Sequence, residues 1–415
     1  MKKTLLLSVV ASTMIMAGGS IAPVEPVVET PAPVAETAAW DFSGQAVVYY
    51  QTAEAGTGSL FEQANARANA GVQLRAVNKD LFAGIGAGVE VSGLATLGLQ
   101  EDVVSGIMQA GSGSDAVGRG GWISQAYLTY AAGNTSFKMG RQELPKALSP
   151  FAFSEGWNVF KNTFDAALVV NSDIPDTTLV GAVVFKGNSN GLATDMSNFS
   201  SINPDGTTGD DTPVYMVTAV NKSVSDLALT GTYYYTSEIA ANEDLNIFWA
   251  DAKYNAGIAT VALQGGTVMC DALADDTTAY GAKVAAKLGM VNASVAFSSV
   301  DEKGLGVFNV GGAKTPLYTQ MVLNQGVIRS DADYVKVGAS ANVLGGTVIA
   351  NYGYAVANND DIVDGADNNP AELDLIYKTK VFNGSTTLLA AYVMVDPDTT
   401  AENTNVIRVW GRYNF

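Results

Sequence analysis

Segments in which apolar and polar residues alternate follow one another along this chain from Trp40 to its last residue. Such alternation is typical of β-strands, because successive side chains of a strand point to opposite faces of the sheet. We predict eighteen strands, and a count of sixteen stays open because boundaries read from sequence shift by several residues. The predicted strands lie at residues 40–51, 63–78, 81–96, 122–132, 134–141, 163–171, 177–186, 213–222, 226–236, 245–255, 258–267, 276–288, 290–299, 332–343, 346–356, 371–382, 384–395 and 404–415.

The connections between these strands alternate between short and long. Every second connection is a tight turn of Asn, Asp and Gly, as at Gly133-Asn134, and these residues tolerate the backbone angles that hairpins require. The intervening connections, such as 187–212 and 300–331, are long and polar. Bacterial outer-membrane barrels have short periplasmic turns and long outer loops. The pattern therefore predicts an all-β fold, a transmembrane antiparallel β-barrel over residues 40–415 with a periplasmic C-terminus.

Each predicted strand has one apolar and one polar face. In the strand at 63–78, Val72 and Leu74 share one face while Gln73 and Arg75 share the other. A transmembrane barrel turns its apolar side chains toward lipid and its polar side chains toward a water-filled lumen. We therefore expect a wall that is apolar outside and wet inside.

The last strand carries a recognisable terminal pattern. Val409, Tyr413 and the terminal Phe415 share one face, and Arg408 and Arg412 share the other. A terminal Phe after alternating hydrophobic residues resembles the mark of Gram-negative outer-membrane porins, by which such barrels are delivered for assembly. The resemblance implies that Phe415 contacts the barrel-assembly machinery. It also implies an outer-membrane location, in contact with membrane lipid and lipopolysaccharide.

The N-terminal segment has the composition of an export signal. Lys2 and Lys3 precede an apolar run at 4–16 and then small residues, which is the pattern of a cleaved secretory signal. We expect residues 1–19 to be the signal peptide. Residues 20–39, rich in Pro, Val and Glu, predict an extended periplasmic linker before the barrel.

The composition excludes several functions. The sequence has no His, so a Ser-His-Asp triad, a His-ligated zinc site and imidazole acid-base catalysis are all impossible. We therefore expect no enzyme activity and no catalytic cofactor. The 23 basic and 41 acidic residues give a net charge of −18, which argues against nucleic-acid binding.

The third long connection, residues 142–163, lies where porins fold a loop back into the barrel. It is rich in large apolar residues, including Phe151, Trp157 and Phe160, and a loop in bulk water would not carry so many. We expect it to fold inward, to pack against the wall and to narrow the pore. Shortening it should then raise conductance more than shortening 300–331. The charged residues predicted at the pore constriction are Lys138, Arg141, Glu143, Lys146, Glu155 and Lys161.

A short motif precedes this loop. Gly140-Arg141-Gln142 resembles the Gly-Arg-Gln found at the same place in OprD-type porins and in the related major porins of Campylobacter-like bacteria. Residues 123–181 and 318–325 resemble the latter group most closely. The resemblance implies a single-domain barrel, often a homotrimer, that passes ions and small solutes. Arg141 has the lipid-facing parity of Met139, so either a bulge turns it inward or the strand has already ended.

Charges on the wet face of the strands are mainly basic, whereas acidic residues concentrate in the long loops. The potential is therefore expected to be negative at the outer mouth and mixed or positive along the wall. The predicted lumen-lining residues are Arg67, Arg75, Glu90, Asp251, Lys253, Lys283, Lys336, Arg408 and Arg412.

One outer loop, residues 358–369, is strongly acidic. Asp360, Asp361, Asp364 and Asp367 would repel one another unless screened, and a hard cation such as Ca²⁺ with oxygen ligands would screen them. The spacing does not match an EF-hand. A solvated acidic loop is the simpler interpretation, and a structural Ca²⁺ site is the alternative.

These observations favour a porin for passive diffusion of ions and small hydrophilic solutes. Weak cation preference is expected, because the acidic outer loops repel anions. A first alternative is an OprD-like channel that selects anionic solutes through a lumenal ladder of Lys and Arg. A second alternative is a plugged surface barrel that acts as an adhesin or structural protein.

Overall fold

The computed structural model of the chain describes residues 39–54, 58–109, 120–192, 194–202, 212–240, 243–301, 304–329, 331–357, 370–397 and 403–415. The predicted signal peptide and the linker up to residue 38 lie outside the described residues. The acidic loop 358–369, with Asp360, Asp361, Asp364 and Asp367, also lies outside them.

Eighteen antiparallel strands form the wall of a closed barrel. Each pairs with its neighbour in sequence, and the last pairs with the first, from Gln45 opposite Asn414 to Glu54 opposite Asn405. A two-residue strand, Ser200–Ser201, pairs only with the end of the seventh wall strand. The wall strands are β1 Asp41–Glu54, β2 Ala66–Phe82, β3 Ile85–Ala95, β4 Gly120–Ala132, β5 Thr135–Gln142, β6 Phe164–Asn171, β7 Thr177–Gly187, β8 Val214–Asn221, β9 Leu227–Ala240, β10 Glu243–Asn255, β11 Ala259–Cys270, β12 Thr277–Leu288, β13 Val291–Val300, β14 Ala332–Val343, β15 Gly346–Ala357, β16 Ala371–Val381, β17 Thr386–Asp396 and β18 Thr404–Asn414.

The predicted fold is confirmed, and its strand boundaries agree to within a few residues. The largest difference is at the β2–β3 hairpin, where β2 ends at Phe82 and β3 begins at Ile85, each four residues later than predicted. The hairpin of β9 and β10 also extends beyond its predicted ends at Thr236 and Leu245. Polar residues interrupt the alternation there, yet backbone pairing continues as far as Ala240 opposite Glu243, after a register shift. The alternation of residues therefore underestimates the length of a strand whose backbone pairing continues beyond its apolar section.

Short turns join the strands at one end of the barrel, and all of the long connections lie at the other end, where β9 and β10 are joined more closely, between Ala240 and Glu243. Gly133 and Gly289 lie in two of the short turns with φ of 60° and 64°. Glycine reaches this left-handed region without steric cost, as tight hairpins require. This sorting of the connections orients the barrel, with the short turns at the periplasmic end.

The outward face of the wall is apolar. Val72 and Leu74 of β2 are 46% and 51% exposed, whereas Gln73 between them is 6% exposed and faces inward. The same alternation of exposed Val and Leu continues around the barrel. A closed antiparallel barrel with an outward apolar belt is the architecture of bacterial outer-membrane proteins. The protein is accordingly located in the outer membrane of a Gram-negative bacterium.

Helices are few in the described residues. They comprise one α-helix, α1, at Gln325–Ile328, and single 3₁₀ turns at Gln63–Asn65, Leu99–Glu101 and Phe382–Gly384. No helix in the described part of the chain is long and apolar enough to cross a membrane.

The C-terminal residue lies at the seam between β18 and β1. Phe415 and Gly44 exchange two backbone hydrogen bonds, of 2.8 and 3.1 Å. A Cβ on Gly44 would lie 2.6 Å from the Phe415 ring, so only glycine leaves room for this ring. The ring packs 5.7 Å from Tyr413 and remains half-exposed on the outer surface. Its recognition by the barrel-assembly machinery stays a prediction.

Candidate functional site

The third long connection, residues 143–163, folds into the barrel as predicted. Phe151 packs edge-on against Tyr234 of β9 and Trp249 of β10, with ring centroids 5.9 and 5.3 Å apart. On the opposite side of the barrel, Trp157 is buried beside Arg408 of β18, and Phe160 packs edge-on against Trp122 of β4 with ring centroids 6.3 Å apart. The connection therefore crosses the lumen and is held at both walls by aromatic contacts.

Two arginines of β18 hold the backbone of this loop. Arg408 donates to the carbonyl of Trp157 at 3.2 Å and to Gln51 at 3.0 Å, and Arg412 donates to the carbonyl of Val159 at 2.8 Å. They are only 1% and 7% exposed. The prediction that they line the pore is therefore wrong, although both point inward. The irregular loop leaves carbonyls without partners in secondary structure, and the guanidinium groups supply those partners.

The three residues of the Gly-Arg-Gln motif, at the end of β5, lie in three different environments. Gly140 has a φ of 122°, and a side chain there would clash with the backbone of Ala126. Gln142 is fully buried inside the wall and donates its amide to the carbonyl of Ala166 at 2.9 Å. Arg141 keeps the outward parity of the strand and binds Asp165 of β6 at 2.8 Å. The assignment of Arg141 to the pore constriction is therefore wrong, because no bulge turns it inward.

Several predicted site residues do come together, on the wall from β2 to β5. Glu143 pairs with Lys161 at 2.7 Å, at the two roots of the third connection. Lys138 lies 3.9 Å from the ring centre of Tyr127, whose hydroxyl accepts a hydrogen bond from Arg75 at 2.9 Å. These four charges are partly exposed and lie on the lumenal side. They form a mixed cluster beside the loop that crosses the lumen.

Glu90 faces the lumen in the same region but is buried. Its carboxylate accepts hydrogen bonds from Ser124 at 2.7 Å and Gln73 at 3.1 Å. The side chain of Arg67 also points inward, near the start of β2. Its backbone forms an isolated parallel β-bridge with Gly106 of the second long connection. Glu90 thus contributes to the polar packing of the wall and has little contact with the lumen.

A second loop that folds inward was not predicted from the sequence. Residues 304–329, in the seventh long connection, bury Val307, Leu317, Met321 and Ile328 inside the barrel. This loop has two aromatic residues, Phe308 and Tyr318, and five glycines, so it lacks the aromatic-rich composition by which the third connection was predicted to fold inward. The sequence signal that could have found it is the apolar spacing at 317–323, which includes Leu317, Met321 and its neighbours.

Wall residues hold this second loop through its backbone. The carboxylate of Glu372 on β16 accepts the N–H groups of Leu323 and Asn324, each at 2.7 Å. Lys336 on β14 donates to the carbonyl of Gln320 and is almost fully buried. Lys336 therefore does not line the pore as predicted, because the loop covers it.

The two inward loops are joined by a clasp centred on Glu155. Its carboxylate accepts the N–H groups of Ala313 and Lys314 at 2.6 and 3.2 Å, and the amide of Asn309 at 3.1 Å. Glu155 is 2% exposed, so it does not face a permeant ion as predicted. Burial raises the pKa of Glu155, while the nearby Lys314 and the N–H donors oppose this shift.

Other contacts extend the junction between the loops. Lys146 donates to the carbonyl of Thr315 at 3.1 Å, so this predicted constriction residue also links the third connection to the seventh. Phe153 and Asn309 exchange two hydrogen bonds, of 2.7 and 2.9 Å. The two loops therefore form one unit within the lumen.

A basic surface lies on the other side of the lumen. Asp251 and Lys253 of β10 form an ion pair at 3.3 Å, and the Tyr318 hydroxyl of the second inward loop donates to Asp251. Lys283 of β12 faces the lumen nearby and is partly exposed. Lys378 and Lys380 of β16 share the inward parity of buried Ile376. Asp251, Lys253 and Lys283 lie on the inward face of their strands, and their role in lining the permeation path stays a prediction.

The lumenal charges that remain accessible are mainly cations. On the wall strands and the third connection, the lumen-facing carboxylates that are partly or fully exposed are Asp41, Glu143, Glu243 and Asp251. The corresponding cations are Arg67, Arg75, Lys138, Lys146, Lys161, Lys253, Lys283, Lys287, Lys378 and Lys380. Within the described residues, no group of three or more His, Cys, Asp or Glu is arranged to hold a metal ion.

Comparison with known proteins places the fold. No protein-family model matches the chain, and no curated protein matches it significantly. Three solved structures are similar at the level of fold. OccK9 (OpdG) of Pseudomonas aeruginosa has a TM-score of 0.73 and 14% identity, over 91% of this chain and 98% of that one. A BenF-like porin from Pseudomonas fluorescens Pf-5 has a TM-score of 0.71 and 14% identity, over the same shares.

OpdK of Pseudomonas aeruginosa is the third, with a TM-score of 0.68 and 14% identity over 90% of this chain and 98% of that chain. The predicted likeness to OprD-type porins is thus confirmed for the fold. The likeness to the Campylobacter-like porins stays a prediction.

Proposed function

We propose that this protein is an outer-membrane channel that passes small hydrophilic solutes by diffusion and favours anionic ones. The excess of accessible cations over carboxylates on the lumenal wall carries this proposal. A pore lined with one sign of charge within low-dielectric walls concentrates ions of the opposite sign. The OprD-like alternative from the sequence is therefore preferred over a non-selective pore.

The arrangement of the cations supports a path along two walls. Lys138 and Lys161 lie beside the loop that crosses the lumen, whereas Lys253, Lys283 and Lys378 lie on strands β10 to β16. A carboxylate entering the lumen would meet these cations in succession, two of which, Lys161 and Lys253, are paired with Glu143 and Asp251. One similar protein, OpdK, has been solved with vanillate, which is an aromatic carboxylate. That observation makes small carboxylates the first solutes to try with this chain.

Weak cation preference is the competing proposal. It is supported by the net charge of −18, since the acidic residues concentrate in the long loops at the outer mouth. Those charges act through solvent and are screened over about 8 Å at physiological salt. Charges inside the wall are screened less. We therefore expect the lumenal cations to decide the selectivity except at low ionic strength.

Block of the current by a carboxylate tests the proposed substrate class. Benzoate added to one side of a single channel in a planar bilayer should reduce the chloride current, and Lys253→Gln/Lys283→Gln should weaken this block. Lys222→Gln, in a short turn outside the lumen, removes a similar charge and should leave the block unchanged. Equal block in all three proteins would contradict a role for the lumenal lysines.

A plugged surface barrel that acts as an adhesin or structural protein is the second alternative. Two inward loops fill much of the interior, and this observation favours it. A lumen that carries no current in the bilayer would establish the plug. Assembly as a homotrimer stays a proposal that crosslinking in native membranes would test.

A further inference from the structure

Three neighbouring strands carry charges on the outward face of the wall. Phe137 and Met139 of β5 are 45% and 70% exposed, which defines the lipid-facing side of that strand. Arg141 has the same parity, two residues closer to the long-loop end. Across the ladder it lies opposite Asp165, which in turn lies opposite Lys186 of β7. The three side chains therefore form a row on the outside of the barrel, at its extracellular rim.

The geometry of Arg141 is fixed by its neighbours. Nε and Nη2 donate to the two carboxylate oxygens of Asp165 at 2.8 and 3.1 Å, and Nη1 donates to the carbonyl of Ile123 at 2.9 Å. The guanidinium also lies 3.3 Å from the ring centre of Phe199. A guanidinium has five N–H donors, so two are left by these contacts. The side chain remains partly exposed to the surroundings of the barrel.

This sector differs from the rest of the outward rim. On other strands the outward charged residues at the long-loop end are acidic, namely Glu54, Asp244, Asp333 and Asp396. In the described residues the remaining Lys and Arg lie on the lumenal face, in the short turns or in the long connections. Arg141 and Lys186 are thus a local positive sector on an otherwise acidic rim.

We propose that Arg141 and Lys186 bind a phosphate group of the outer-leaflet glycolipid. The outer leaflet at this height presents phosphorylated lipid headgroups, and guanidinium and ammonium groups are the usual protein partners of phosphate. Charged side chains cost little on a barrel surface near the interface, in contrast to the midplane. Arg141 and Lys186 thus lie on either side of Asp165 on the outward face, and both can donate hydrogen bonds to phosphate oxygens.

The surrounding apolar residues fit the same ligand. Phe185 is exposed next to Lys186, and Phe137 and Met139 continue down the lipid-facing side below Arg141. A headgroup at the rim would thus place its acyl chains against exposed apolar side chains. Arg141 and Lys186 would thus provide the predicted contact with lipopolysaccharide, whatever solute the lumen transports.

Binding of bis-phosphorylated lipid A to the purified protein in detergent, measured by native mass spectrometry, tests the proposal. Loss of charge-assisted hydrogen bonds weakens binding about tenfold or more, so Arg141→Gln/Lys186→Gln should bind correspondingly less. Asp165→Asn removes the opposing charge and should bind more tightly than wild type. Wild-type affinity in the double variant would overturn the proposal.

The controls separate charge from folding and lipid from free anion. Lys222→Gln removes a charge in a short turn and should bind as wild type. Lys186→Gln alone leaves the pair of Arg141 and Asp165 intact, so it still tests the site if the double variant does not fold. Dephosphorylated lipid A should bind as weakly as the double variant. Displacement of lipid A by an equal concentration of inorganic phosphate would overturn the lipid as the source of the phosphate.

Discussion

The two loops that fill the lumen are held there by different kinds of contact. Residues 143–163 are held by aromatic side chains, with Phe151 against β9 and β10 and Trp157 against β1 and β18. Residues 304–329 bury aliphatic side chains such as Leu317, and their backbone groups also contact Glu372 and Lys336 of the wall. The first kind of contact is visible in composition, whereas the second is visible only once the partners are placed. A long loop with few aromatic residues is therefore not necessarily an exposed one.

Shortening either loop gives the largest expected effect. Replacing residues 306–326 with a short Gly-Ser segment should raise single-channel conductance at least as much as shortening 145–161, because both segments occupy the lumen. This reverses the sequence-based expectation for the seventh connection. Unchanged conductance after the first replacement would show that only the aromatic loop narrows the pore.

Glu155→Ala tests the clasp between the loops. It leaves the N–H groups of Ala313 and Lys314 and the amide of Asn309 without their acceptor. An unsatisfied buried polar group costs about 1–3 kcal/mol, so the free energy of unfolding in detergent should fall by at least this amount. The open-channel current should also become noisier as residues 304–329 loosen. If Glu155→Ala has the stability and the current noise of the wild type, the clasp does not couple the two loops.

Arg412→Gln tests how the last strand holds the aromatic loop. The carbonyl of Val159 loses its donor, at an expected cost of ~1–3 kcal/mol measured by urea unfolding. The aromatic contacts of the loop persist, so conductance should rise less than after shortening the loop. Arg408→Gln is the companion variant, since it acts on the carbonyl of Trp157. A wild-type unfolding curve for both would mean that the aromatic residues hold the loop alone.

Glu143→Gln should have the smallest effect on stability. Its pair with Lys161 is partly exposed at the roots of the loop, and such pairs contribute ~0–1 kcal/mol. Selectivity should change more than stability, because the variant leaves Lys161 as an uncompensated lumenal cation. A shift of the reversal potential toward anions, compared with wild type, checks this. A shift toward cations would contradict the placement of the pair in the permeation path.

The sequence predicts the strands of the wall and their faces, but it does not predict which inward side chains the loops cover. Alternation predicts which side of a strand faces inward, and Arg408, Arg412 and Lys336 do face inward. Whether an inward charge meets water depends on loops that cover it, and loops have no period from which to place them. Arg141 shows the converse. Its parity gave the correct outward side, whereas its place at the root of the third connection suggested a pore role that the outward ion pair with Asp165 rules out.

Glu155 illustrates the same limit within a loop that was correctly placed. Its position in the third connection follows from sequence, but its partners lie more than 150 residues away in the chain. Pairing over such a distance leaves no local pattern. The carboxylates and ammonium groups that join the loops therefore looked, in sequence, the same as those that line the pore.

A single-channel recording of the purified protein in a salt gradient tests the central claim most directly. The account predicts stepwise currents and, at moderate ionic strength, a reversal potential of the sign given by anion preference, because accessible cations outnumber carboxylates in the lumen. A barrel that carries no current, or a reversal potential of the cation-selective sign that persists as salt rises, would contradict it.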